Sequence, residues 1–434
     1  MLVLLSTADT EILAAAHAVR DLPEGFGPVR CANPYGVEDV EAFLDDLLDG
    51  ARVVVARLLG GRRAWPEGVA ALRARCARDG VALLLLAGEA EPDAELAQLS
   101  SAPAATLAQA FEYLRHGGVE NTANLLRFLA DTLLREGHGF EAPRALPDLG
   151  VYVPGRGDVA LEDALAAHDP GRPTVGLVFY RSHRVTGNTA FVDALVAALD
   201  AAGANALCVW AYSLRPDVDG RVAGLELLHG RIDALVTTVL ASGGSTPADA
   251  AVDGHADWST WRAEALVALD VPVIQAVCAT SSRAAWAASP AGLTPLDAAM
   301  QVAIPEFDGR IVGPPVSFKE PLEGESPVGT PVLHYAPDLE RCARLAQLAT
   351  GHARLRALDP ADARLVIMLS SFPTKHARIG NAVGLDTPAS AIALLERLRA
   401  AGYGVEHDFA DGDELIHALI AAGGHDHDFL TDEQ

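Results

Sequence analysis

Short apolar runs that alternate with helix-length segments restrict the fold of this chain more than any other feature. Among the first 100 residues, candidate strands lie at Leu2–Leu5, Arg52–Ala56 and Val81–Leu86. Candidate helices at Thr10–Arg20 and Val69–Ala77 come between them. Strands separated by helices of about 10–15 residues indicate parallel βαβ units. The sequence therefore predicts an α/β fold built on parallel sheets.

The same alternation returns after the Pro- and Gly-rich stretch Glu141–Asp158, which we interpret as a linker. Beyond the linker, nearly continuous apolar runs occupy Thr174–Tyr180, Asn205–Trp210, Asp233–Leu240 and Val271–Val277. Such runs are typical of strands buried on both faces. Before the linker we expect two helices that are separated by Gly117–Gly118. We expect Rossmann-like, doubly wound units in tandem.

Two further Pro-rich turns, Gly313–Val316 and Glu323–Pro331, predict a second boundary. Beyond it we expect a long helix near Pro337–Leu358, a strand at Arg364–Ser370 and a helix from Pro388. The chain should thus contain three α/β domains, the last of them incomplete. We place these domains at residues 1–142, 143–330 and 331–434.

Composition excludes several classes of function. With 33 basic and 58 acidic residues the net charge is −25, which argues against nucleic-acid binding. No apolar run approaches the ~20 residues that span a bilayer, so no membrane span is expected. The two lysines, Lys319 and Lys375, do not follow glycine, so a phosphate-binding G-x-x-x-x-G-K-[ST] loop is absent. Five scattered cysteines without a CxxC pair predict a reducing compartment, the cytoplasm.

Polar residues cluster directly after the strand Thr174–Tyr180, at the edge where open α/β sheets bind ligands. Guanidinium groups bind carboxylates through paired hydrogen bonds, and an imidazole titrates near neutral pH. The candidate residues here are Arg181, His183, Arg184 and Asn188. An ordinary βα loop, in which Thr186 or Asn188 caps the next helix, is the alternative.

Two later loops carry similar groups. Arg283 follows the strand Val271–Val277 among hydroxyl residues that could equally well serve only as helix caps. The loop Ser370–Pro388 is long for a structural turn, and Asp386 or Thr387 should cap the helix after it. Its candidates for binding an anionic or planar ligand are Lys375, His376, Arg378 and Asn381. The terminal His425–Asp428 could hold a metal, although adventitious binding is the favoured interpretation there.

An ordered set of segments resembles the CobN family, within the magnesium-chelatase-H superfamily, over about residues 110–434. These segments are Gly176–His183, Gly187–Leu195, Pro272–Cys278, Gly292–Asp297, Ile304–Arg310 and Arg378–Ser390. Arg181–His183 with Gly187–Asn188, and the ending Leu385–Ser390, look more like the cobalt branch than the magnesium branch. Members of the family are much longer, so we expect this chain to be a fragment that is inactive alone.

The resemblance implies ATP-dependent insertion of Co²⁺ into the corrinoid hydrogenobyrinic acid a,c-diamide during aerobic cobalamin biosynthesis. In the family the macrocycle is bound by the large subunit, while AAA+ and integrin-like subunits use the ATP. On this basis the arginines would bind corrinoid carboxylates. His183 and His376 would accept ring protons or act as transient metal ligands.

Three alternatives compete with this interpretation. Insertion of Mg²⁺ into protoporphyrin is the alternative within the superfamily, and a non-catalytic corrinoid or metallophore carrier is the alternative outside it. An NAD-dependent oxidoreductase would need a G-x-G-x-x-G loop after the first strand. Ser6–Thr10 occupies that place, so we set the oxidoreductase aside.

Overall fold

The computed structural model describes residues 1–217, 219–240, 263–370 and 379–422. The chain divides into two compact units, Met1–Ala353 and Arg354–Gln434. The described helices that begin in the first unit, apart from single turns, are Asp9–Arg20, Val40–Leu47, Pro66–Asp79, Ala94–Leu99, Ala104–His116, Val119–Leu129, Leu161–Leu165, Arg181–Val185, Ala190–Ala201, Arg283–Ala288 and Leu339–Ala357.

Four parallel strands form the first sheet, in the order β2-β1-β3-β4. These strands are β1 (Leu2–Ser6), β2 (Val29–Ala32), β3 (Val53–Leu58) and β4 (Ala82–Ala87). Successive side chains of a strand point to opposite faces. Accordingly Leu2 and Leu4 pack into one core with Ile12, whereas Val3 and Leu5 pack into another. Helices cover both faces of this sheet, as the apolar runs predict.

The second sheet has eight strands in the order β12-β11-β10-β9-β7-β8-β5-β6. The strands from β11 to β8 are parallel to one another, and β12, β5 and β6 add antiparallel pairs at the two edges. Their bounds are β5 (Leu149–Val153), β6 (Gly157–Val159), β7 (Thr174–Tyr180), β8 (Asn205–Ala211), β9 (Ala234–Thr237), β10 (Val273–Ala279), β11 (Ile311–Pro321) and β12 (Leu333–Pro337).

Both sheets share one winding order. Counted from its own first parallel strand, the first sheet runs 2-1-3-4 and the parallel part of the second runs 2-1-3-4-5. In a sheet of this order the chain changes direction between strands 1 and 3, and the loops there diverge to leave a crevice at the carboxyl ends. The predicted α/β class with parallel, doubly wound sheets is confirmed.

The β11–β12 hairpin corrects part of the sequence analysis. Gly313–Val316 was predicted to be a turn, but it lies inside β11, which pairs with strands on both sides. Proline lacks the N–H that a ladder needs, and the pairing of β10 with β11 shifts register beside Pro315. The division into domains 1–142, 143–330 and 331–434 stays a prediction. β12 lies beyond the predicted boundary at residue 330, but it pairs with β11, a strand of the predicted central domain.

The second compact unit contains the helices Thr387–Ala400 and Gly412–Ala421, which contact each other. The predicted cap is confirmed, because the Asp386 carboxylate accepts a hydrogen bond from the backbone N–H of Ala389 at 3.0 Å. The predicted strand Arg364–Ser370 is wrong: this segment has no strand partner among residues 354–370 and 379–422. In the described ranges, no helix combines the length and apolar composition needed to cross a membrane.

A buried arginine ties the first sheet to its surroundings. The guanidinium of Arg57 donates hydrogen bonds to the backbone oxygens of Ala87 at 3.1 Å, Gly88 at 3.1 Å and Leu114 at 2.7 Å. It also pairs with the carboxylate of Glu11. Arg57 is 8% exposed, so these acceptors have little access to water to replace it.

We predict that Arg57→Met lowers the free energy of unfolding by about 3–5 kcal/mol, because it leaves a mostly buried carboxylate and three carbonyls without their donor. Arg52→Met is the matched control. Arg52 pairs with Glu136 at 3.3 Å but is 56% exposed, and removal of a surface pair changes stability by about 1 kcal/mol or less. Denaturant unfolding of both variants measures the difference, and equal losses would contradict the prediction.

Candidate functional site

A cleft of about 690 Å³ lies between the carboxyl ends of the two sheets in the first unit. Its volume falls within the range of ordinary small-molecule sites, about 300–1,000 Å³. The cleft is lined by Thr7, Ala8, Asp9, Thr10, Asn33, Tyr35, Leu59, Ala64, His183, Asn188, Thr280, Leu296, Lys319, Leu333, His334 and Tyr335.

The topology explains why the cleft forms here. Thr7–Thr10 follows β1 and Leu59 follows β3, the two strands between which the first sheet reverses its order. His183 follows β7 and Thr280 follows β10 in the second sheet. Loops at this edge are the expected ligand-binding elements of open parallel sheets. The cleft therefore combines the ligand-binding edges of both sheets.

An ion pair forms the polar floor of the cleft. The ammonium group of Lys319 on β11 lies 2.6 Å from Oδ2 of Asp9, which begins the first helix. The amide of Asn33 donates to the other oxygen of Asp9 at 2.8 Å. Lys319 and Asp9 are only 22% and 19% exposed, and the ammonium lies 5.8 Å from the centre of the Tyr335 ring.

The His183 ring lies in an aromatic cluster on the other side of the floor. Its centre is 5.1 Å from that of Phe191 and 5.3 Å from that of Tyr335, both in edge-to-face geometry. Nδ1 is buried and has no hydrogen-bond partner in the described structure. Burial, and secondly the positive charge of Lys319, lower the pKa of His183 to about 4. The imidazole is therefore neutral at physiological pH.

Hydrogen bonds fix the neutral polar groups around this floor. The side chain of Asn188 accepts from the backbone N–H of Tyr335 at 3.0 Å. The hydroxyl of Thr280 donates to the buried carboxylate of Asp297 at 2.9 Å, and Gln301 donates to the same carboxylate at 2.8 Å. Gln301 lies on a short π-helix, Ala299–Ala303, a feature often found at functional sites.

Exposed apolar side chains surround the mouth of the cleft. Tyr35 is 79% exposed, Leu59 is 61% exposed and Leu296 is 57% exposed. Large apolar side chains that remain in water around a cavity indicate a contact surface for a ligand or partner. A polar floor below an apolar rim suits an amphipathic ligand.

Two of the predicted arginines hold the fold together. Arg181 is buried and donates to the backbone oxygens of Pro147 at 2.7 Å and His116 at 2.8 Å. Arg184 pairs with Asp158 at 2.7 Å. Neither lines the cleft, although both belong to the loop that contributes His183 and Asn188.

The other predicted residues lie elsewhere. Arg283 pairs with Asp338 at 2.8 Å and stacks on the Trp286 ring at 4.8 Å. Asn381 is an exposed residue of the second compact unit. Lys375, His376, Arg378 and the terminal segment His425–Asp428 lie outside the described residues.

The described part of the chain contains no group of three or more His, Cys, Asp or Glu side chains placed to hold a metal ion.

Comparison with known proteins shows which family this chain belongs to. The family model described as CobN/Magnesium Chelatase matches residues 111–434. The chain is also 36% identical, over 99% of its length, to the aerobic cobaltochelatase subunit CobN of Pseudomonas aeruginosa. The chain belongs to the CobN/magnesium chelatase family.

A solved member of the family has the same fold. The catalytic subunit of cobaltochelatase from Mycobacterium tuberculosis matches with a TM-score of 0.68 and 44% identity, over 98% of this chain and 33% of that one. The magnesium-chelatase H protein of Rhodobacter capsulatus is 29% identical over 67% of this chain and 25% of its own. The chain thus spans about a third of the length of the CobN relatives that it matches.

Several residues of this CobN-family cleft were not identified from sequence. Asp9 lies in Ser6–Thr10, a segment used only to reject a dinucleotide-binding loop, although its place after the first strand was a usable signal. Lys319 was considered only as a lysine that does not follow glycine. No sequence pattern pointed to Tyr335, because β12 was not predicted.

The buried, neutral His183 predicts a pH dependence. Its pKa in the folded chain is about 4, below the ordinary 6.5. Between these values the unfolded chain takes up a proton that the folded chain excludes, so this group makes the free energy of unfolding fall as pH falls from 6.5 to 4. One proton sets a limit of about 1.4 kcal/mol per pH unit.

His183→Phe keeps an aromatic ring beside Phe191 and Tyr335 but removes the titrating group. We expect the pH dependence of its unfolding free energy to be shallower than that of the unchanged chain between pH 4 and 6.5. Denaturant unfolding at several pH values measures both curves. Parallel curves would show that His183 takes up its proton in the folded state as readily as in the unfolded state.

Proposed function

We propose that this chain is the tetrapyrrole-binding part of the large subunit of an ATP-dependent cobaltochelatase. In the cytoplasm, the complete enzyme would insert Co²⁺ into hydrogenobyrinic acid a,c-diamide during aerobic cobalamin biosynthesis. The observation that carries the proposal is the 36% identity to an aerobic cobaltochelatase subunit over 99% of the chain. Insertion of Mg²⁺ into protoporphyrin is less favoured, because the magnesium-chelatase relative is 29% identical over 67% of the chain.

The cleft supports macrocycle binding. Its volume of about 690 Å³ and its exposed rim of Tyr35, Leu59 and Leu296 suit the apolar body of a flat ring. The hydrogen-bonding groups of the floor suit the polar side chains at the edge of the ring. Asn188 is therefore proposed to contact substrate.

Metal insertion requires that protons leave the ring nitrogens and that the cobalt ion loses bound water. A neutral imidazole can accept a proton, and His183 is a neutral imidazole that lines the cleft. We propose His183 as the proton acceptor, and His376 as a second acceptor from the loop Ser370–Pro388. Imidazole nitrogen also suits Co²⁺ as a transient ligand.

The remaining predicted residues are proposed substrate contacts of the whole enzyme. Lys375, Arg378 and Asn381 would contribute from the loop Ser370–Pro388. Arg181, Arg184 and Arg283 would have to exchange their present partners for substrate carboxylates. AAA+ and integrin-like partner subunits would hydrolyse the ATP.

Absorbance titration tests whether the chain binds a macrocycle. We expect metal-free hydrogenobyrinic acid a,c-diamide to give a saturable spectral change, and protoporphyrin IX to bind more weakly. Tighter binding of protoporphyrin would favour the magnesium branch. If neither macrocycle binds, this part of the family protein does not hold the substrate.

Cobalt insertion tests the role of His183. In the full-length subunit with its partner subunits and ATP, His183→Phe should slow single-turnover insertion by about 10²–10⁴-fold if the imidazole accepts a ring proton. Binding of the diamide should change little, because the aromatic contacts are kept. Phe191→Leu is the control for disturbed packing of the same cluster. Equal rates for His183→Phe and the unchanged enzyme would exclude the proposed role.

A further inference from the structure

The charges of the cleft are balanced within it. Among the described side chains that line the cleft, Asp9 and Lys319 carry the full charges, and they pair with each other at 2.6 Å. His183 is neutral, and burial lowers the pKa of His334. The remaining polar lining consists of amides and of hydroxyls, which include the phenols of Tyr35 and Tyr335. The floor is therefore polar but has no net charge.

The ion pair retains hydrogen-bonding capacity. An ammonium group has three N–H donors, and each carboxylate oxygen has two acceptor sites. In the described part of the chain, Lys319 uses one donor for Asp9, and each Asp9 oxygen accepts one side-chain hydrogen bond, from Lys319 or Asn33. A donor and an acceptor thus lie side by side at the floor of an open cleft.

A primary carboxamide complements this arrangement. It presents a carbonyl acceptor and N–H donors at one end and carries no charge. Its oxygen can accept from Lys319 while its nitrogen donates to Asp9. Resting on the proposed function, we infer that the Asp9–Lys319 pair recognises an amidated side chain of the macrocycle and discriminates against the corresponding carboxylate.

The discrimination follows from the charge of Asp9. A carboxylate only accepts hydrogen bonds, so a substrate carboxylate can bind Lys319 but cannot donate a hydrogen bond to Asp9. It also places a second negative charge beside a carboxylate that is only 19% exposed, where like charges repel strongly. Sites built to hydrogen-bond a particular substrate group reject analogues that lack the group, because their own polar atoms are then left unpaired.

This inference differs from recognition of a polycarboxylate by arginines. Arg181 and Arg184 are engaged with Pro147 and Asp158 and do not line the cleft. The single cation of the described lining, Lys319, already has a counter-ion. Carboxylates of the macrocycle would therefore lie outside this floor, and the amide would lie on it.

The test compares two corrinoids that differ only in the amidated positions: hydrogenobyrinic acid a,c-diamide and hydrogenobyrinic acid. We expect the 434-residue chain to bind the diamide at least about tenfold more tightly in absorbance titrations. Asp9→Asn removes the counter-charge of Lys319, so the preference should fall about tenfold or more, towards the acid. Lys319→Met leaves Asp9 without its counter-ion, so it should weaken binding of both ligands while the diamide stays preferred.

Asp46→Asn is the matched control, because it removes the same charge from an exposed pair with Arg30 and should leave the ratio unchanged. The ratio of the two affinities is measured within each variant, so partial unfolding cancels out. If both ligands bind and Asp9→Asn keeps the ratio of the unchanged chain, the inference is wrong although the proposed function stands. If neither ligand binds the unchanged chain, both are overturned.

Discussion

The β11–β12 hairpin is the element on which the candidate site depends, because it belongs to one sheet and contacts the other. Lys319 on β11 pairs with Asp9, which begins the helix that follows β1 of the first sheet. The backbone oxygen of Val328, in the turn of the hairpin, accepts from the N–H of Cys31 on β2. Val328 and Val332 are buried in the core of the first sheet. These contacts hold the carboxyl ends of both sheets at one cleft.

Arginine and lysine have different tasks in this structure. The buried guanidinium groups of Arg57 and Arg181 bind backbone oxygens, which suits a planar group with five donors. Each joins segments distant in sequence and so stabilises the fold. Lys319, in contrast, uses one donor for Asp9 within an open cleft. A compact ammonium with free donors is better suited to meet a ligand than an arginine whose donors are engaged.

The sequence predicts the parallel sheets well because their buried strands are continuous apolar runs. Thr174–Tyr180 was predicted with its bounds unchanged. β11 was missed because Pro314 and Pro315 normally mark turns. Both lie in the part of β11 that pairs with β10 alone and where the register shifts, whereas the pairing with β12 begins at Ser317. For the site, His183 and Asn188 were found because they follow a clear strand. Asp9 and Lys319 are 310 positions apart, so their meeting depends on tertiary packing.

Two buried ion pairs of the first unit show why the one in the cleft is the better candidate for recognition. Asp308 and Arg310 are fully buried, and Arg310 also donates to Gln275 at 2.6 Å, so protein groups surround this pair. The Asp9–Lys319 pair is desolvated by about four fifths but still faces the cavity. Buried pairs contribute little net stability, because desolvation offsets their attraction. A pair that remains open to a cleft is therefore better explained by what it can bind than by stability.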